Sequence, residues 1–324
     1  MMIEISSILL FLVGLILVVV CSDLLVDGAS DIARRSGISE FVIGLTIVGI
    51  GTSMPEMVVS FLSAIRGNAD MAVGNVIGSN IFNTLLILGV TALILPMTIQ
   101  EKTLRRDIPI NIAASLFLIA VGFSQTLFHI GQDKLSRVAG LVMLAGFAIY
   151  LYTSFKYGKE DSAVEEPEES KLYKNAFIPV LMTLGGLGGL IFGGRLFVNG
   201  ATEIARALGW SDKFIAITIL AGGTSLPELA TCVVAALKHR GQLALGNIIG
   251  SNISNILLIL GGSALIHPLS MLNISFIDMG FLIASAIVIL ISYFTFDKRM
   301  LGRIEGVILL VMESAYMYLL IQDL

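Results

Sequence analysis

Two glutamates lie inside apolar stretches of this chain, each at the end of the same short motif. Glu56 ends the sequence GTSMPE, and Glu228 ends the sequence GTSLPE. In each copy, a threonine hydroxyl and a serine hydroxyl precede the carboxylate by four and three residues. Ionisable side chains are costly to place inside a membrane, so those that occur there are typically functional. The duplicated motif therefore predicts an ion pathway built from two related halves.

The local sequence also predicts that the helix around each glutamate is broken. Pro55 has no N–H, and its ring clashes with the carbonyl of Gly51, four residues earlier. Backbone carbonyls released there need new partners, and a bound cation can serve. One helix face then carries Gly49, Thr52, Ser53 and Glu56 at i, i+3, i+4 and i+7, and the repeat carries Ala221, Thr224, Ser225 and Glu228.

A polar stripe follows each glutamate motif in the next apolar segment. Asn75, Ser79 and Asn83 are spaced by four residues and share one helix face. Gly74 and Gly78 form a G-x-x-x-G pair, which predicts the close approach of a neighbouring helix. The second copy repeats the stripe with Gly246, Asn247, Gly250, Ser251 and Asn255.

The chemistry of these side chains favours a hard cation. Carboxylate, hydroxyl, amide and backbone oxygens suit Ca²⁺ or Na⁺, whereas the absence of His and Cys from the set argues against zinc, copper or iron. Ca²⁺ takes about six to eight oxygens in flexible geometry. Two buried carboxylates that stay ionised with no cation beside them would cost several kcal/mol each. We therefore expect a Ca²⁺ site that other cations or protons fill when Ca²⁺ leaves, which is the basis of coupled exchange.

The elements that position these residues form an internal repeat. Residues 22–89 align without a gap onto 194–261, and roughly half of the aligned positions are identical. The chain has 324 residues, of which 56% are hydrophobic and only 14% are charged. The apolar runs are long enough to cross a bilayer. We predict an all-α polytopic membrane protein with ten transmembrane helices, at about 5–30, 39–66, 71–95, 107–124, 134–156, 175–206, 212–238, 243–266, 274–296 and 302–321.

An acidic polar stretch at 157–174 divides these spans into halves of five, 1–156 and 175–324. Because five is odd, the second half enters the membrane from the opposite side, and the repeat is inverted. Placing both termini outside the cell puts 14 of the 20 Lys and Arg residues on the cytoplasmic side. We therefore expect a bacterial or archaeal plasma-membrane protein with extracytoplasmic termini, a cytoplasmic linker and no cleaved signal peptide.

A few polar residues in the spans fall outside the two motifs. Asp23, Asp27 and Arg195 lie towards span ends, where they either anchor the helix and pair locally or belong to the transport path. Glu313 lies inside span 10 without a repeat partner, which leaves a surface or packing role and a helper carboxylate as interpretations. The isolated Cys21 and Cys232 predict neither a disulfide nor a zinc site.

With both motifs in both halves, the chain resembles the cation/Ca²⁺ exchanger superfamily, specifically the prokaryotic Na⁺/Ca²⁺ exchanger type. The resemblance covers nearly the whole chain and rests on G-T-S-x-P-E followed by G-N-x-I-G-S-N. It implies that Ca²⁺ and Na⁺ are transported without a prosthetic group, while spans 1 and 6 slide against the rest. The ion-binding set that it implies is Gly49, Thr52, Ser53, Glu56, Ser79, Asn83, Ala221, Thr224, Ser225, Glu228, Ser251 and Asn255.

Within that set, the resemblance places Ca²⁺ between Glu56 and Glu228, with Na⁺ in flanking sites. Many relatives carry Asp where this chain has Asn255, and K⁺-dependent exchangers typically use that Asp. The neutral Asn83 and Asn255 therefore favour K⁺-independent exchange, and the resemblance implies an electrogenic ratio of three Na⁺ per Ca²⁺. K⁺-dependent exchange, H⁺/Ca²⁺ exchange and another divalent substrate such as Mn²⁺ remain alternatives.

Two other classes of function fit the residues less well. Carboxylates can line an ion channel, but channels typically build their rings by oligomer symmetry rather than by an inverted repeat in one chain. Ser53 and Ser225 lie near carboxylates, yet no His or Lys is placed to act as a base for an enzyme. We expect no catalytic residue, no nucleic-acid partner and no obligate protein partner.

Overall fold

The structure is a computed structural model, and it describes residues 4–161, 173, 175–209, 221–271, 274–295 and 299–322. This part of the chain is mostly helical. Most of the predicted linker, 157–174, lies outside the described residues, as does the first part of predicted span 7, 212–220.

The described residues form helices and four short strands. The first half contains α1 (Ile5–Ser36), α2 (Glu40–Ile43), α3 (Gly49–Thr52), α4 (Met54–Ile65), α5 (Ala69–Phe82), α6 (Leu88–Ile94), β1 (Met97–Thr98), α7 (Ile108–Gly122), α8 (Ser124–Phe128), β2 (Lys134–Leu135) and α9 (Arg137–Asp161). The second half contains α10 (Phe177–Ala207), α11 (Ala221–Thr224), α12 (Leu226–Leu237), α13 (Gly241–Ser254), α14 (Gly261–Ile266), β3 (Leu269–Ser270), α15 (Phe276–Ser292), β4 (Met300–Leu301) and α16 (Arg303–Gln322).

Six of these helical segments are long and apolar enough to cross a bilayer. They are Ile5–Ser36, Ala69–Ile94, Arg137–Lys156, Phe177–Ala207, Gly241–Ile266 and Arg303–Gln322, and the bent pair Glu40–Thr52 and Met54–Ile65 makes a seventh. The three other predicted spans correspond to α7, α12 and α15, which have 15, 12 and 17 residues. The count of ten therefore stays a prediction, because these helices are short and 212–220 lies outside the described residues.

The helix is bent at the glutamate motif, as its sequence predicts. Ser53 leaves helical geometry with φ −79° and ψ 9°, and the segments before and after it meet at 47°. Ser225 has nearly the same backbone, with φ −87° and ψ 8°. Pro55 and Pro227 then lie in the first turn of α4 and α12, where a missing N–H costs no helical hydrogen bond. The break therefore falls at the serine rather than at the proline.

Wider π-helical turns interrupt the helices next to the motifs. They cover Gly44–Val48, Asn83–Ile87 and Asn255–Leu260, and a further one covers Thr103–Asp107. Such turns are frequent at functional sites, since each extra residue re-aims the side chains around it. Two of them begin at Asn83 and Asn255, which are related by the repeat. Sequence periodicity did not predict these turns.

One compact unit contains the described residues of Met1–Pro55 and Tyr157–Asn247. Its two longest helices, α1 and α10, pack backbone to backbone over glycines. A Cβ on Gly14 would lie 2.3 Å from the Phe197 nitrogen, and one on Gly200 would lie 2.5 Å from the Phe11 nitrogen. Only glycine fits at such distances, so this seam depends on small residues.

The same unit contains Gly246, the first glycine of the second G-x-x-x-G pair. A Cβ on Gly246 would lie 2.1 Å from the Phe41 carbonyl oxygen, which confirms the predicted close approach at this glycine. The repeat equivalent of Phe41 is residue 213, outside the described residues. No described atom lies within 4 Å of a Cβ placed on Gly74 or Gly78, so the described residues do not show the close approach predicted at this pair.

The other compact unit contains Glu56–Lys156 and the described residues of Ile248–Leu324. Here β1 pairs with β4 and β2 pairs with β3, both antiparallel. Gly89 packs against Gly306, and Gly140 packs against Gly261. Each of these pairings joins the first half of the sequence to the second, so this unit is built from both copies of the repeat.

Candidate cation-binding site

Glu228 is fully buried in the first turn of α12. The Ser53 hydroxyl donates to Glu228 Oε1 at 2.8 Å, across 175 residues of sequence. The start of a helix favours negative charge because the free N–H groups point towards it. Ser53 gives its single proton to the carboxylate, so its oxygen keeps lone pairs for a cation. Two residues of the predicted set are thus brought together.

Thr52, one residue earlier, is also fully buried. Its hydroxyl donates to Asn247 Oδ1 at 3.1 Å, and the Gly49 carbonyl lies farther away, at 3.5 Å. The Gly49 carbonyl also accepts a long bond of 3.3 Å from the Ser53 amide. Both of these bonds to the Gly49 carbonyl are long, and its role as a cation ligand stays a prediction.

Glu56 is the fully buried carboxylate of the other unit, in the first turn of α4. Ser79 Oγ lies 3.5 Å from Glu56 Oε1, at the long limit of a hydrogen bond. Asn75 Nδ2 donates to the Glu56 carbonyl oxygen at 3.2 Å and to Ser60 Oγ at 3.0 Å. Asn75 and Ser79 thus lie on one face of α5, as their spacing predicts, and this face lies towards the glutamate helix.

A ladder of buried amides lies in the same unit. Asn255 Nδ2 donates to Asn80 Oδ1 at 2.9 Å, and Asn80 Nδ2 donates to the Asn252 carbonyl at 3.0 Å. Asn252 Nδ2 then donates to Thr84 Oγ1 at 2.7 Å. Neither amide atom of the fully buried Asn83 has a hydrogen-bond partner among the described residues. An amide oxygen left in this way is a suitable ligand for a hard cation.

The remaining residues of the predicted set lie in the second copy of the repeat. Ser225 and Ser251 are fully buried, and Thr224 is half-buried. Ala221 begins α11, and its side chain lies outside the description. Among the described residues, no group of three or more His, Cys, Asp or Glu side chains could hold a metal ion. Any cation held by the described residues needs neutral oxygens beside the carboxylates.

Three asparagines outside the predicted set bond to its members, and a fourth bonds to one of these three. Asn75 and Asn247 bond the glutamate helices, and Asn80 and Asn252 form the amide ladder. Each pair is identical between the two copies of the repeat, at an offset of 172 residues. That identity is the available signal: the predicted polar stripe includes Asn75 and Asn247 but not Asn80 and Asn252.

Glu313 is buried inside α16, and its side chain is 5% exposed. Gly306 and Leu310 contact Gly89 of α6, and Glu313 lies on the same face of α16 one turn farther on. Its Oε2 has no hydrogen-bond partner among the described residues. Burial in this helix seam removes a purely surface role for Glu313.

Asp23 and Asp27 pair locally, as one of the two interpretations expects. Lys238, which follows α12, bridges Asp23 Oδ1 at 2.7 Å and Asp27 Oδ1 at 2.6 Å. The repeat-related positions are Arg66, Arg195 and Asn199, which cannot form the same ion cluster. The cluster therefore ties α1 to α12 in one copy of the repeat without an equivalent in the other.

Replacing Lys238 by methionine should lower the stability of this unit by only about 1 kcal/mol, since partly exposed ion pairs are weak. The Lys238 side chain is 28% exposed and that of Asp27 is 42% exposed. The thermal midpoint of the purified protein would be compared with those of Asp27→Asn and the double variant. A coupling energy near zero would show that the pair contributes nothing.

Comparison with known proteins gives one answer over nearly the whole chain. A family model described as "Sodium/calcium exchanger protein" matches residues 6–156 and 178–322. The putative antiporter CaxA of Alkalimonas amylolytica is 39% identical, with 95% of this chain and 97% of the relative covered. The sodium/calcium exchanger MaX1 of Methanosarcina acetivorans is 34% identical, with 96% and 97% covered.

Comparison with solved structures identifies the same family. A solved structure of the sodium-calcium exchanger NCX_Mj soaked with Na⁺ and Sr²⁺ superimposes with a TM-score of 0.82 at 33% identity, covering 96% of this chain and 97% of that one. The same exchanger without Na⁺ and Ca²⁺ gives 0.83 at 32% identity, over 100% of both chains. The chain therefore belongs to the sodium/calcium exchanger protein family and has the membrane fold of a prokaryotic cation/Ca²⁺ exchanger.

Proposed function

We propose that this protein is a secondary active antiporter that exchanges Na⁺ for Ca²⁺ across the membrane by alternating access. The observation that carries the proposal is the pair of repeat-related, fully buried glutamates, each approached by a serine hydroxyl. A buried carboxylate is stable only when a cation or a proton neutralises it. A site of this kind cannot return across the membrane empty, which couples the two ion fluxes.

We propose that Glu56 and Glu228 hold Ca²⁺ and that neighbouring oxygens complete the Ca²⁺ and Na⁺ sites. The serine hydroxyls bonded to the carboxylates keep lone pairs for the ions. The Asn83 amide is buried and has no partner among the described residues, which suits a ligand. The remaining members of the set are Gly49, Thr52, Ser53, Ser79, Ala221, Thr224, Ser225, Ser251 and Asn255.

The proposed topology is ten spans in two inverted repeats, in the plasma membrane, with both termini outside the cell. The seven spans defined by length and the three shorter helices α7, α12 and α15 support this count. The excess of Lys and Arg in the segments placed inside supports the orientation. Accessibility of single cysteines placed at residues 5 and 160 to an impermeant thiol reagent, in a variant without Cys21 and Cys232, tests the two sides.

Ion exchange would be measured as ⁴⁵Ca²⁺ uptake into proteoliposomes loaded with Na⁺ and diluted into choline medium. We expect uptake that requires internal Na⁺ and is unchanged by adding K⁺, because Asn83 and Asn255 are neutral. Uptake that requires K⁺, or a pH gradient in place of Na⁺, would overturn the proposed coupling. Preference for Mn²⁺ over Ca²⁺ in competition would overturn the proposed substrate.

Exchange of three Na⁺ for one Ca²⁺ moves one net positive charge out of a Na⁺-loaded vesicle. Uptake should therefore build an inside-negative potential that slows further turnover. Adding valinomycin with equal K⁺ on both sides removes this potential, and we expect the initial rate to rise. An unchanged rate, with K⁺ itself shown to have no effect, would indicate electroneutral exchange.

A further inference from the structure

A buried asparagine lies directly behind the predicted ligand Thr52. Asn247 Oδ1 accepts the hydrogen bond of the Thr52 hydroxyl at 3.1 Å. On its other side, Asn247 Nδ2 donates to Cys232 Sγ at 3.2 Å, and the Cys232 thiol donates to the Ala244 carbonyl at 3.7 Å. The side chains of Thr52, Asn247 and Cys232 are all 0% exposed. We refer to these four residues as the Asn247 relay.

The other copy of the repeat contains the equivalents of three of these four residues in the same arrangement, with one change. Asn75 Nδ2 donates to Ser60 Oγ at 3.0 Å, and Ser60 Oγ donates to the Ala72 carbonyl at 3.3 Å. These three residues are the repeat equivalents of Asn247, Cys232 and Ala244. The part of the arrangement that holds the asparagine is therefore built twice, with a hydroxyl in one copy where the other has a thiol.

The direction of the hydrogen bonds follows from counting protons. A thiol has one proton, and Cys232 gives it to the Ala244 carbonyl, so its sulfur can only accept from Asn247. The amide NH₂ of Asn247 must then face Cys232, and its oxygen must face Thr52. Thr52 in turn gives its only proton to Asn247, which leaves its oxygen lone pairs pointing away from the relay.

This orientation matters for a cation because a hydroxyl binds one through lone pairs and repels it through its proton. We propose that Asn247, held by Cys232, is a positioning residue that presets the Thr52 hydroxyl oxygen as a ligand for Na⁺. The inference rests on the proposed Na⁺/Ca²⁺ exchange and adds residues that do not themselves touch the ion. Residues that orient a ligand in this way are typically worth about tenfold or more in ion affinity.

The test compares Cys232→Ser with Cys232→Ala in proteoliposomes. Serine keeps both the donor and the acceptor, as Ser60 does in the other copy, whereas alanine removes them. We expect Cys232→Ala to raise the Na⁺ concentration for half-maximal exchange by about tenfold, with the maximal rate changed less than about twofold. Cys232→Ser should keep the half-maximal concentration of the unmodified protein. Cys21→Ala removes the other buried thiol, which lies on α1 outside the relay, and should change neither value.

A second pair of variants shows whether Cys232 acts through Thr52. In a Thr52→Val background, adding Cys232→Ala should cause no further loss of Na⁺ affinity, since the ligand is already gone. If Cys232→Ala does not fold, Cys232→Val fills the space without hydrogen bonding and has the same expected result. Folding of each variant is checked by its thermal midpoint.

The outcomes separate the relay from the exchange function itself. Na⁺-driven uptake by the unmodified protein, with equal Na⁺ dependence in Cys232→Ala, would overturn the relay and keep the proposed function. Equal losses in the serine and alanine variants would also overturn it, because serine preserves the hydrogen bonds. No Na⁺-driven uptake by the unmodified protein would overturn the proposed function and the relay together.

Discussion

Replacing Glu228 by glutamine is expected to abolish Na⁺-driven Ca²⁺ uptake while leaving the protein folded. Glutamine has the shape of glutamate, and its amide oxygen can still accept from Ser53, so packing around the 0% exposed side chain is kept. The change removes one of the two charges proposed to neutralise Ca²⁺. Breaking a buried charge pair costs about 3–5 kcal/mol, which is more than about 100-fold in Ca²⁺ affinity. Glu56→Gln should give the same loss, because the two residues are related by the repeat.

The measurement is ⁴⁵Ca²⁺ uptake over a wide range of Ca²⁺ concentrations, together with the thermal midpoint of each variant. Glu203→Gln is a matched control, since Glu203 lies in the long helix α10 and also accepts from a serine, Ser7. It should keep normal uptake. Uptake by Glu228→Gln within threefold of the unmodified protein would show that this carboxylate does not hold the transported ion.

The features that could be predicted from sequence are those in which the internal repeat makes a local signal unambiguous. One G-T-S-x-P-E motif in an apolar helix has several explanations, whereas two copies at a constant offset point to a shared site. Proline chemistry is local as well, so the bend near Glu56 follows from Pro55 and its neighbours. The i, i+4 spacing in the next segment correctly put Asn75 and Ser79 on one face of their helix, which is the face towards Glu56.

Features that depend on long-range packing could not be predicted in the same way. A π-helical turn has no clear sequence signature, so the extra residue at Asn83 and Asn255 was not anticipated. The bonds from Asn255 to Asn80 and from Asn252 to Thr84 each join opposite halves of the sequence. Periodicity assigns a residue to a face of its own helix, but it does not say which helix lies opposite.

The two compact units do not coincide with the two halves of the sequence, and periodicity could not predict this either. Hydropathy predicts a division at 157–174, because this is the one long polar stretch in the sequence. Contacts instead join α6 to α16 and β1 to β4, which belong to different halves. In each unit the described contacts therefore depend on both copies of the repeat, and neither half contains a complete set of the proposed ion ligands.

The seam between α1 and α10 is the second place where a small change should have a large effect. Replacing Gly14 and Gly200 together by alanine would place two methyl groups 2.3 Å and 2.5 Å from backbone nitrogens of the facing helix. Backbone atoms cannot rotate away as a side chain can, so the helices must separate. Overpacking costs about 1–3 kcal/mol at each site, and we expect a sharply lower thermal midpoint and poor recovery of monodisperse protein.

Gly185 and Gly188 of α10 are the matched controls, because no described atom lies within 4 Å of where their Cβ would be. Alanine is favoured over glycine in a helix by about 1 kcal/mol, so the Gly185→Ala, Gly188→Ala variant should be as stable as the unmodified protein or more so. A lower thermal midpoint for the Gly14, Gly200 pair, with an equal or higher midpoint for the Gly185, Gly188 pair, would show that the effect comes from the seam. It would exclude the loss of glycine as such. Equal midpoints for the two pairs would mean that α1 and α10 do not pack this closely in the membrane.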